Sequence, residues 1–222
     1  MKKISSHALE QLCQNTTELQ PDKVYLTKDN TIVKIIYDRH LISSSTIYPY
    51  AKRIKNNSQQ LLAKGISTVD VKEIFYCPEK KLSVVIYPAL TGTDCRKQIN
   101  ENSVNVLEKL AEYTGFLHSA GVFFWDLHLG NILYQENENF SLIDIASVNV
   151  KSKSLGPIKR ARNISHLVGY KYDNDAFKKF GITKFINTYL SHANMNQFSK
   201  KLFLYYLQKR LIKKSIILNN QF

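Results

Sequence analysis

The chain has 222 residues, of which 44% are hydrophobic and 11% aromatic, so it is long and apolar enough to fold around its own core. No run of about 18 uncharged apolar residues occurs, and the first residues lack the apolar core of a signal peptide, so we expect a cytoplasmic protein. Three widely spaced cysteines, Cys13, Cys77 and Cys95, predict buried free thiols rather than a disulfide framework or a zinc site.

The net charge of +13 is concentrated in the last third of the chain. Residues 1–150 contain 16 basic and 16 acidic residues, whereas residues 151–222 contain 15 basic and 2 acidic ones. Such a field attracts anionic partners, whether phosphorylated saccharides, acidic lipid head groups or nucleic acid. A solvated basic face without a specific partner is the alternative interpretation.

The first 90 residues predict a small sheet with one inserted helix. Two β-branched and aromatic runs, 24–27 and 31–37, predict a hairpin that places Lys34 inside a strand. A helix is predicted from about Tyr50 to Lys64, where Gly65 ends it, and two further strands are predicted over 69–76 and 82–87.

The remaining residues predict mainly helices. Apolar residues at helical spacing predict a long helix over 103–120 with Gly121 as its end, and two short apolar runs at 131–134 and 140–145 predict a hairpin. Beyond Pro157 the pattern predicts helices at about 158–171, 174–180, 182–192 and 196–214. Aromatic residues in the last of these have helical spacing, which favours core positions over stacking platforms: Phe203, Tyr205 and Tyr206.

A polar constellation lies between the long helix and the hairpin. Transfer of a phosphoryl group to a hydroxyl needs a carboxylate beside the hydroxyl and divalent ions on the phosphates. Asp126 suits the first role, and the oxygens of Asn131 and Asp144 are the hard ligands that Mg²⁺ prefers. Each residue alone is typical of a turn or a cap. Their spacing, with Asn131 in the same loop as Asp126 and Asp144 across the following hairpin, favours a shared site.

This spacing resembles the catalytic loop and metal-binding Asp of the protein kinase-like superfamily. The local form Asp126-Leu127-His128-Leu129-Gly130-Asn131-Ile132-Leu133 is similar to the bacterial lipopolysaccharide core kinases of the heptose or Kdo type. The resemblance implies an α+β, bilobal kinase-like fold in a single domain. An N-lobe at about 1–88 would hold a small antiparallel sheet with one helix, and a mainly helical C-lobe would occupy about 89–222.

The resemblance also implies ATP and Mg²⁺ as cofactors. Lys34 matches the strand lysine that binds the nucleotide phosphates, although a lysine pointing to water is the alternative. The segment that contains Ile86, Tyr87 and Ala89 would lie against the adenine. His128 either contacts a phosphate or holds the loop in shape, and we favour the second role.

The chain departs from the superfamily pattern mainly in its first half. No glycine precedes Gly65, so the glycine-rich phosphate loop is absent. No acidic residue occurs between Asp38 and Asp70, so the usual helical glutamate is missing as well. Lys34 must then find another partner, for which the candidates are Asn56, Asn57 and Asp144.

Two further departures lie in the second half of the chain. Phe124 and Trp125 occupy the usual His-Arg positions ahead of Asp126, and Asp144-Ile145-Ala146 replaces Asp-Phe-Gly. Without that arginine, we expect no control by phosphorylation of an activation segment.

The sequence therefore predicts an ATP- and Mg²⁺-dependent phosphotransferase acting on a sugar hydroxyl of lipopolysaccharide core or a related anionic glycolipid. The basic residues 151–222 suit such a partner and a peripheral contact with the anionic inner face of the cell membrane. Two alternatives stay open, a catalytically inactive kinase-fold binding module and a small RNA-associated kinase, in which the basic third would bind nucleic acid.

Overall fold

The computed structural model describes residues 1–37, 49–101, 103–136 and 138–216. The chain divides into two compact units, Met1–Leu90 with Asp144–Ala146, and Thr91–Ile143 with Ser147–Phe222. Residues 217–222 of the basic third lie outside the described residues. None of the helices in the described residues is both long and apolar enough to cross a membrane.

The first unit is built on a six-stranded sheet in the order β1-β5-β6-β4-β3-β2. Neighbouring strands are antiparallel, except that β1 pairs parallel with β5. Inward-facing residues such as Val33, Ile35 and Val84 form its core with Leu9. The strands are β1 (Lys2–Lys3), β2 (Thr17–Gln20), β3 (Val24–Leu26), β4 (Thr31–Tyr37), β5 (Glu73–Cys77) and β6 (Leu82–Pro88).

The described part of this unit has two helices, α1 (Ser6–Cys13) and α2 (Tyr50–Leu62), so the expectation of a single helix was wrong. The Oγ atom of Ser5 accepts a hydrogen bond from Ala8 N and thereby caps α1. Leu9 is the only residue that α1 buries. One buried position in eight gives no periodic signal, which is why the sequence pattern missed this helix.

Strand β5 begins at Glu73, four residues later than the sequence predicts. The cause is Ser58 on α2, whose hydroxyl donates to Val69 O at 2.6 Å and accepts from Val71 N at 3.2 Å. These backbone groups are bonded to a side chain rather than to a neighbouring strand. The hairpin of β3 and β4 and the helix α2 are confirmed, with bounds close to the expected ones.

The second unit is mainly helical, as expected. Its strands form a three-stranded sheet in the order β10-β9-β7 and a separate pair of β8 with β11. They are β7 (Thr93–Asp94), β8 (Val122–Phe124), β9 (Ile132–Tyr134), β10 (Phe140–Leu142) and β11 (Val148–Val150), and short 3-10 turns occupy Leu129–Asn131 and Ile145–Ser147. The predicted hairpin after the loop is the antiparallel pair of β9 and β10.

Five of the described helices of the second unit agree with the predicted ones within a few residues, whereas the helix Cys95–Glu101 was not predicted. Helix α4 packs on α7, and α5 packs on α8. The described helices are α3 (Cys95–Glu101), α4 (Ser103–Ser119), α5 (Pro157–Val168), α6 (Asn174–Phe180), α7 (Ile182–His192) and α8 (Gln197–Ile212). The three cysteines are free; Cys77 and Cys95 are buried and Cys13 is partly buried, as the sequence predicts.

Candidate active site

The loop that carries Asp126 connects β8 to β9, and a side chain within it fixes its shape. The Nδ2 atom of Asn131 donates to the backbone oxygen of Asp126 at 2.9 Å. The backbone of Asn131 is held as well, because its N–H donates to His128 O and its carbonyl accepts from Ile143 N, both at 3.0 Å. The five-residue spacing thus has a structural reason: it allows one amide to close the loop.

The carboxylate of Asp126 remains accessible, with 53% of its side chain exposed. One oxygen, Oδ1, lies 3.9 Å from Nε2 of His128 and 3.9 Å from Nε2 of His166. These distances are too long for hydrogen bonds but short enough for electrostatic contact. The Nε2 atom of His166 is buried and has no hydrogen-bond partner within the part of the chain that the structure describes. The carboxylate of Asp126 is therefore close to two imidazoles.

His128 is held by its neighbours. Its ring stacks on Tyr170 with 4.3 Å between the ring centroids, and its Nδ1 lies 3.5 Å from Nη2 of Arg96. Burial lowers the pKa of His128 below its usual range, and the nearby Asp126 opposes this shift only in part. A neutral, stacked ring suits the role of holding the loop better than that of a phosphate-binding cation.

The loop is also anchored by an ion pair between the buried Asp173 and the partly exposed Arg96, which the sequence pattern did not reveal. Asp173 has a fully buried side chain, and it accepts from Nε of Arg96 at 2.6 Å and from the backbone N of Leu129 at 2.8 Å. A Cβ at Gly130 would lie 2.9 Å from Nη1 of Arg96, so glycine leaves room for the guanidinium. One signal was present: Asp173 is one of only two acidic residues after residue 150.

A buried polar network fixes the strand that leads into the loop. Asn163 on α5 donates from Nδ2 to Phe124 O at 2.7 Å, and its Oδ1 accepts from Phe124 N at 3.3 Å. Since this Oδ1 is an acceptor, the Nε2 of His118, 3.1 Å away, must be the donor. The other nitrogen, Nδ1, then accepts from Tyr189 Oη at 2.9 Å.

Arg160 completes this network without a carboxylate partner within the described residues. Its guanidinium is almost fully buried and donates to Tyr189 Oη at 3.1 Å and to Leu155 O at 2.7 Å. Burial, aided by the charge of Arg160, lowers the pKa of His118 to about 3, so this imidazole is neutral at physiological pH. The result is a chain of hydrogen bonds with a defined direction from Arg160 to the backbone of Phe124.

In the first unit, the lysine assigned to the nucleotide phosphates contacts the aspartate assigned to metal. Lys34 Nζ lies 2.8 Å from Asp144 Oδ1. Of the three partners that the sequence left open, the structure therefore gives Asp144. Asn57 has a different role, because its Nδ2 donates to Ile145 O at 2.8 Å. Asp144 has a φ of +53°, a left-handed conformation that is uncommon outside glycine and often found at functional sites.

The residues expected to face adenine lie at the end of β6 and just beyond it. Ile86 and Tyr87 lie in β6, and burial raises the pKa of Tyr87, with a further contribution from the charge of Asp144. The backbone N–H of Ala89 donates to Asn30 O at 2.8 Å. This donor is therefore already used within the first unit.

The donor chemistry of two residues suits Mg²⁺. Because Asn131 uses its Nδ2 within the loop, its Oδ1 is the atom left to bind a cation, and Asp144 offers a carboxylate beside Lys34. Mg²⁺ commonly takes one or two carboxylates and completes its shell with water and phosphate oxygens. Within the described residues, no cluster of three or more His, Cys, Asp or Glu side chains is placed to hold a metal. Each of the two residues by itself therefore offers an oxygen of the kind that Mg²⁺ binds.

An open cleft of about 740 Å³ lies elsewhere in the second unit, beside β7 and β9. It is lined by polar and acidic groups and by none of the residues assigned above: Thr91, Gly92, Thr93, Gln98, Tyr134, Gln135, Glu136 and Glu138. Its two glutamates make it a poor site for an anionic ligand.

No protein-family model matches the chain, and no curated protein matches it. Among solved structures it is similar to WbdD in complex with the kinase inhibitor LY294002, with a TM-score of 0.54 and 14% identity over 89% of this chain and 45% of that one. At this identity the likeness is one of fold, and the chain shares the fold of WbdD over the matched part. The α+β, kinase-like expectation is thus confirmed.

Two other structures give weaker likenesses. A monomeric form of WbdD has a TM-score of 0.48 and 14% identity over 78% of this chain and 44% of that one. A structure described as the bifunctional kinase-methyltransferase WbdD has a TM-score of 0.44 and 12% identity over 85% of this chain and 47% of that one. The chain spans less than half the length of these proteins.

Proposed function

We propose that this protein is an ATP- and Mg²⁺-dependent phosphotransferase that acts on a sugar hydroxyl of lipopolysaccharide core or a related anionic glycolipid. The observation that carries the proposal is the accessible carboxylate of Asp126, on a loop that Asn131 closes through the backbone oxygen of Asp126 at 2.9 Å. The kinase-like fold supports it. A carboxylate on a fixed frame is what general-base assistance to a hydroxyl requires.

Each residue assigned to the site would have a defined part in the reaction. The acceptor oxygen forms a bond to the γ-phosphorus of ATP, the bond from that phosphorus to the bridging oxygen breaks, and ADP leaves with the electron pair. Asp126 accepts the hydroxyl proton and returns it to solvent. Mg²⁺ held by Asn131 and Asp144 would neutralise charge on the phosphates. Lys34 would hold a phosphate oxygen.

The neighbours of Asp126 would control its position and its access to the acceptor. His128 is stacked on Tyr170, and Asp173 holds the backbone of Leu129. These contacts would keep the loop in shape while the acceptor hydroxyl is phosphorylated. The excess of basic residues after residue 150 favours an acceptor that carries negative charge.

The deciding experiment measures Mg²⁺-dependent transfer of phosphate from ATP to purified core oligosaccharide and glycolipid. The variant Asp126→Asn should lower turnover by about 10²-fold or more, with ATP binding retained. Asp175→Asn is the matched control, because it makes the same change on a side chain that is 99% exposed. No transfer by the wild-type protein, or equal turnover by wild type and Asp126→Asn, would refute the proposal.

One observation favours a second candidate, a kinase-fold binding module without turnover. Lys34 and Asp144, the two residues of the first unit assigned to phosphate and metal, are paired with each other. The glycine-rich loop is also absent from the sequence. This candidate predicts nucleotide binding by calorimetry that leaves ATP intact during prolonged incubation with Mg²⁺ and glycolipid.

A further inference from the structure

The last described helix, α8, is apolar on two opposite faces. One face is buried in the second unit through residues four positions apart, Phe203, Leu207 and Leu211. The other face carries three large apolar residues seven positions apart, each largely in solvent: Phe198 (74% exposed), Tyr205 (51%) and Ile212 (62%). The expectation that Tyr205 belongs to the core was therefore wrong, whereas for Phe203 it is confirmed.

The three exposed residues lie along one line of the helix. Seven residues make almost two full turns, so positions 198, 205 and 212 share a side, and they extend over about 21 Å at 1.5 Å per residue. We call them the outer stripe. Single exposed apolar residues are common, but three aligned on one helix form a surface that usually has a partner.

The outer stripe is accompanied by positive charge. Lys201 and Lys209 of α8, and Lys213 at its C-cap, are exposed and fall on the same side as the outer stripe. Lys209 Nζ lies 4.4 Å from the centre of the Tyr205 ring. No acidic residue follows Asp175 in the sequence, so nothing on α8 offsets this charge. The outer face thus combines large apolar side chains with lysines, the composition of helices that lie in a membrane interface.

We propose that the outer face of α8 binds the surface of an anionic lipid bilayer. The helix lies in the plane of the interface, the outer stripe enters the head-group region, and the three lysines contact lipid phosphates. The proposal does not rest on phosphotransferase activity. The sequence assigns the attraction for anionic partners to residues 151–222 as a whole. The proposal assigns the contact with anionic lipid to the outer face of α8.

Charge and stacking argue against two other occupants. A symmetric pair of chains joined through the outer stripe would bring the lysines of both copies together, and like charges repel. Bound RNA would need open aromatic faces for its bases, but Ile212 has no ring and the ring of Tyr205 is covered by Lys209. A bilayer interface accommodates aromatic, aliphatic and basic side chains together.

The test is co-sedimentation of the full chain with vesicles of phosphatidylcholine alone or mixed with phosphatidylglycerol. We expect partitioning into the anionic vesicles to be at least about tenfold greater, and to fall as salt is added. The triple change Phe198→Ser, Tyr205→Ser and Ile212→Ser should lower it by about tenfold or more. The triple change Lys201→Gln, Lys209→Gln and Lys213→Gln should do the same.

Matched controls separate this face from a diffuse basic field. Phe116→Ser alters an apolar side chain on α4 that is 47% exposed, and Lys151→Gln, Lys178→Gln and Lys179→Gln remove three exposed charges outside α8. Both controls should bind anionic vesicles like the wild type. Asp126→Asn should bind them equally well, so a failure of the proposed reaction leaves this result unaffected.

Several results would overturn the proposal. These are equal binding to neutral and anionic vesicles, no vesicle binding, or the same loss in the lysine control as in the α8 lysine variant. Self-association of the wild type that the serine variant abolishes would instead identify a second copy as the partner. Capture of single-stranded RNA without vesicle binding would identify nucleic acid. If the serine variant has a lowered thermal midpoint, its loss of binding could come from unfolding, and the test of the proposal then rests on the α8 lysine variant.

Discussion

Lys34 Nζ and Asp144 Oδ1 lie 2.8 Å apart although the two residues are separated by 110 positions in the sequence. The kinase pattern predicts a helical glutamate as the partner of Lys34, but the chain has no acidic residue between Asp38 and Asp70. Asp144 is held in a left-handed backbone conformation, with φ of +53°, while it makes this contact. One aspartate thus supports the lysine and is also assigned to the metal.

The backbone conformation of Asp144 and its proposed part in the reaction can be tested separately by substitution. Asp144→Ala should destabilise the protein by about 1 kcal/mol more than Asp144→Asn, because asparagine tolerates the left-handed conformation and alanine does not. Both should abolish Mg²⁺-dependent turnover. Urea unfolding measures the first effect and phosphate transfer the second. Equal stability of the two variants would contradict the importance of the backbone conformation.

The pair of Arg96 with the buried Asp173 should contribute more to stability than a pair in which neither side chain is buried. Arg96→Met leaves the buried carboxylate of Asp173 without its cation, and we expect a loss of about 3 kcal/mol in the free energy of unfolding. Lys109→Met breaks the more exposed pair with Glu138 and should cost much less. Denaturant titration of both variants is the measurement. Similar losses would show that Asp173 does not depend on Arg96.

The neutral state of His118 predicts a dependence of stability on pH. The pKa of this residue falls from its ordinary 6.5 to about 3 in the folded protein, so between these values the unfolded chain binds a proton that the folded protein does not. Stability is therefore complete above about pH 7 and decreases as the pH falls. At pH 5 the contribution of His118 is a loss of roughly 2 kcal/mol.

The comparison for this prediction is His118→Gln. Its stability at neutral pH will be lower, because it alters the network with Asn163 and Tyr189. The informative quantity is the change in unfolding free energy between pH 7.5 and pH 5, which should be smaller in the variant by roughly that 2 kcal/mol. Parallel curves for the two proteins would mean that His118 is charged in the folded state.

Gly121 ends the long helix α4 at a position where no other residue fits. Its φ is +83°, and a Cβ there would lie 2.5 Å from the backbone oxygens of both Lys151 and Lys153. Gly121→Ala should therefore destabilise the protein by about 2 kcal/mol or more. Gly156→Ala, where a Cβ meets nothing within 4 Å, should change stability by less than about 1 kcal/mol. Thermal unfolding of both variants tests the difference.

Most of the helices and strands could be predicted because their signals are local. Strand β4 and helices α6 and α7 have the bounds that their sequence patterns indicate, since alternation, helical spacing and glycine ends are properties of neighbouring residues. The late start of β5 could not be predicted, because it depends on Ser58 from another element. Helix α1 was missed because Leu9 is its only buried residue.

Some residues of the candidate site could likewise be predicted from local spacing, and others could not. The roles of Asp126, Asn131 and Asp144 follow from residue type and spacing, and they stay predictions. Spacing gave no indication of Asn163, Asp173 or His166, which lie dozens of residues from the loop they contact. Their positions depend on how α5 and the residues that follow it pack.

The sequence by itself determined that this protein has a small sheet followed by helices and a strongly basic last third, and it predicted a shared role for Asp126, Asn131 and Asp144. Only the tertiary structure decided that Asp144 is the partner of Lys34, that Arg96 and Asp173 anchor the loop, and that α8 has a second apolar face in solvent. The physical reason is the distance along the chain over which the deciding interactions act. Backbone conformation and charge are set by neighbours in the chain, whereas the partner of a side chain and the side of a helix that stays exposed are set by distant residues.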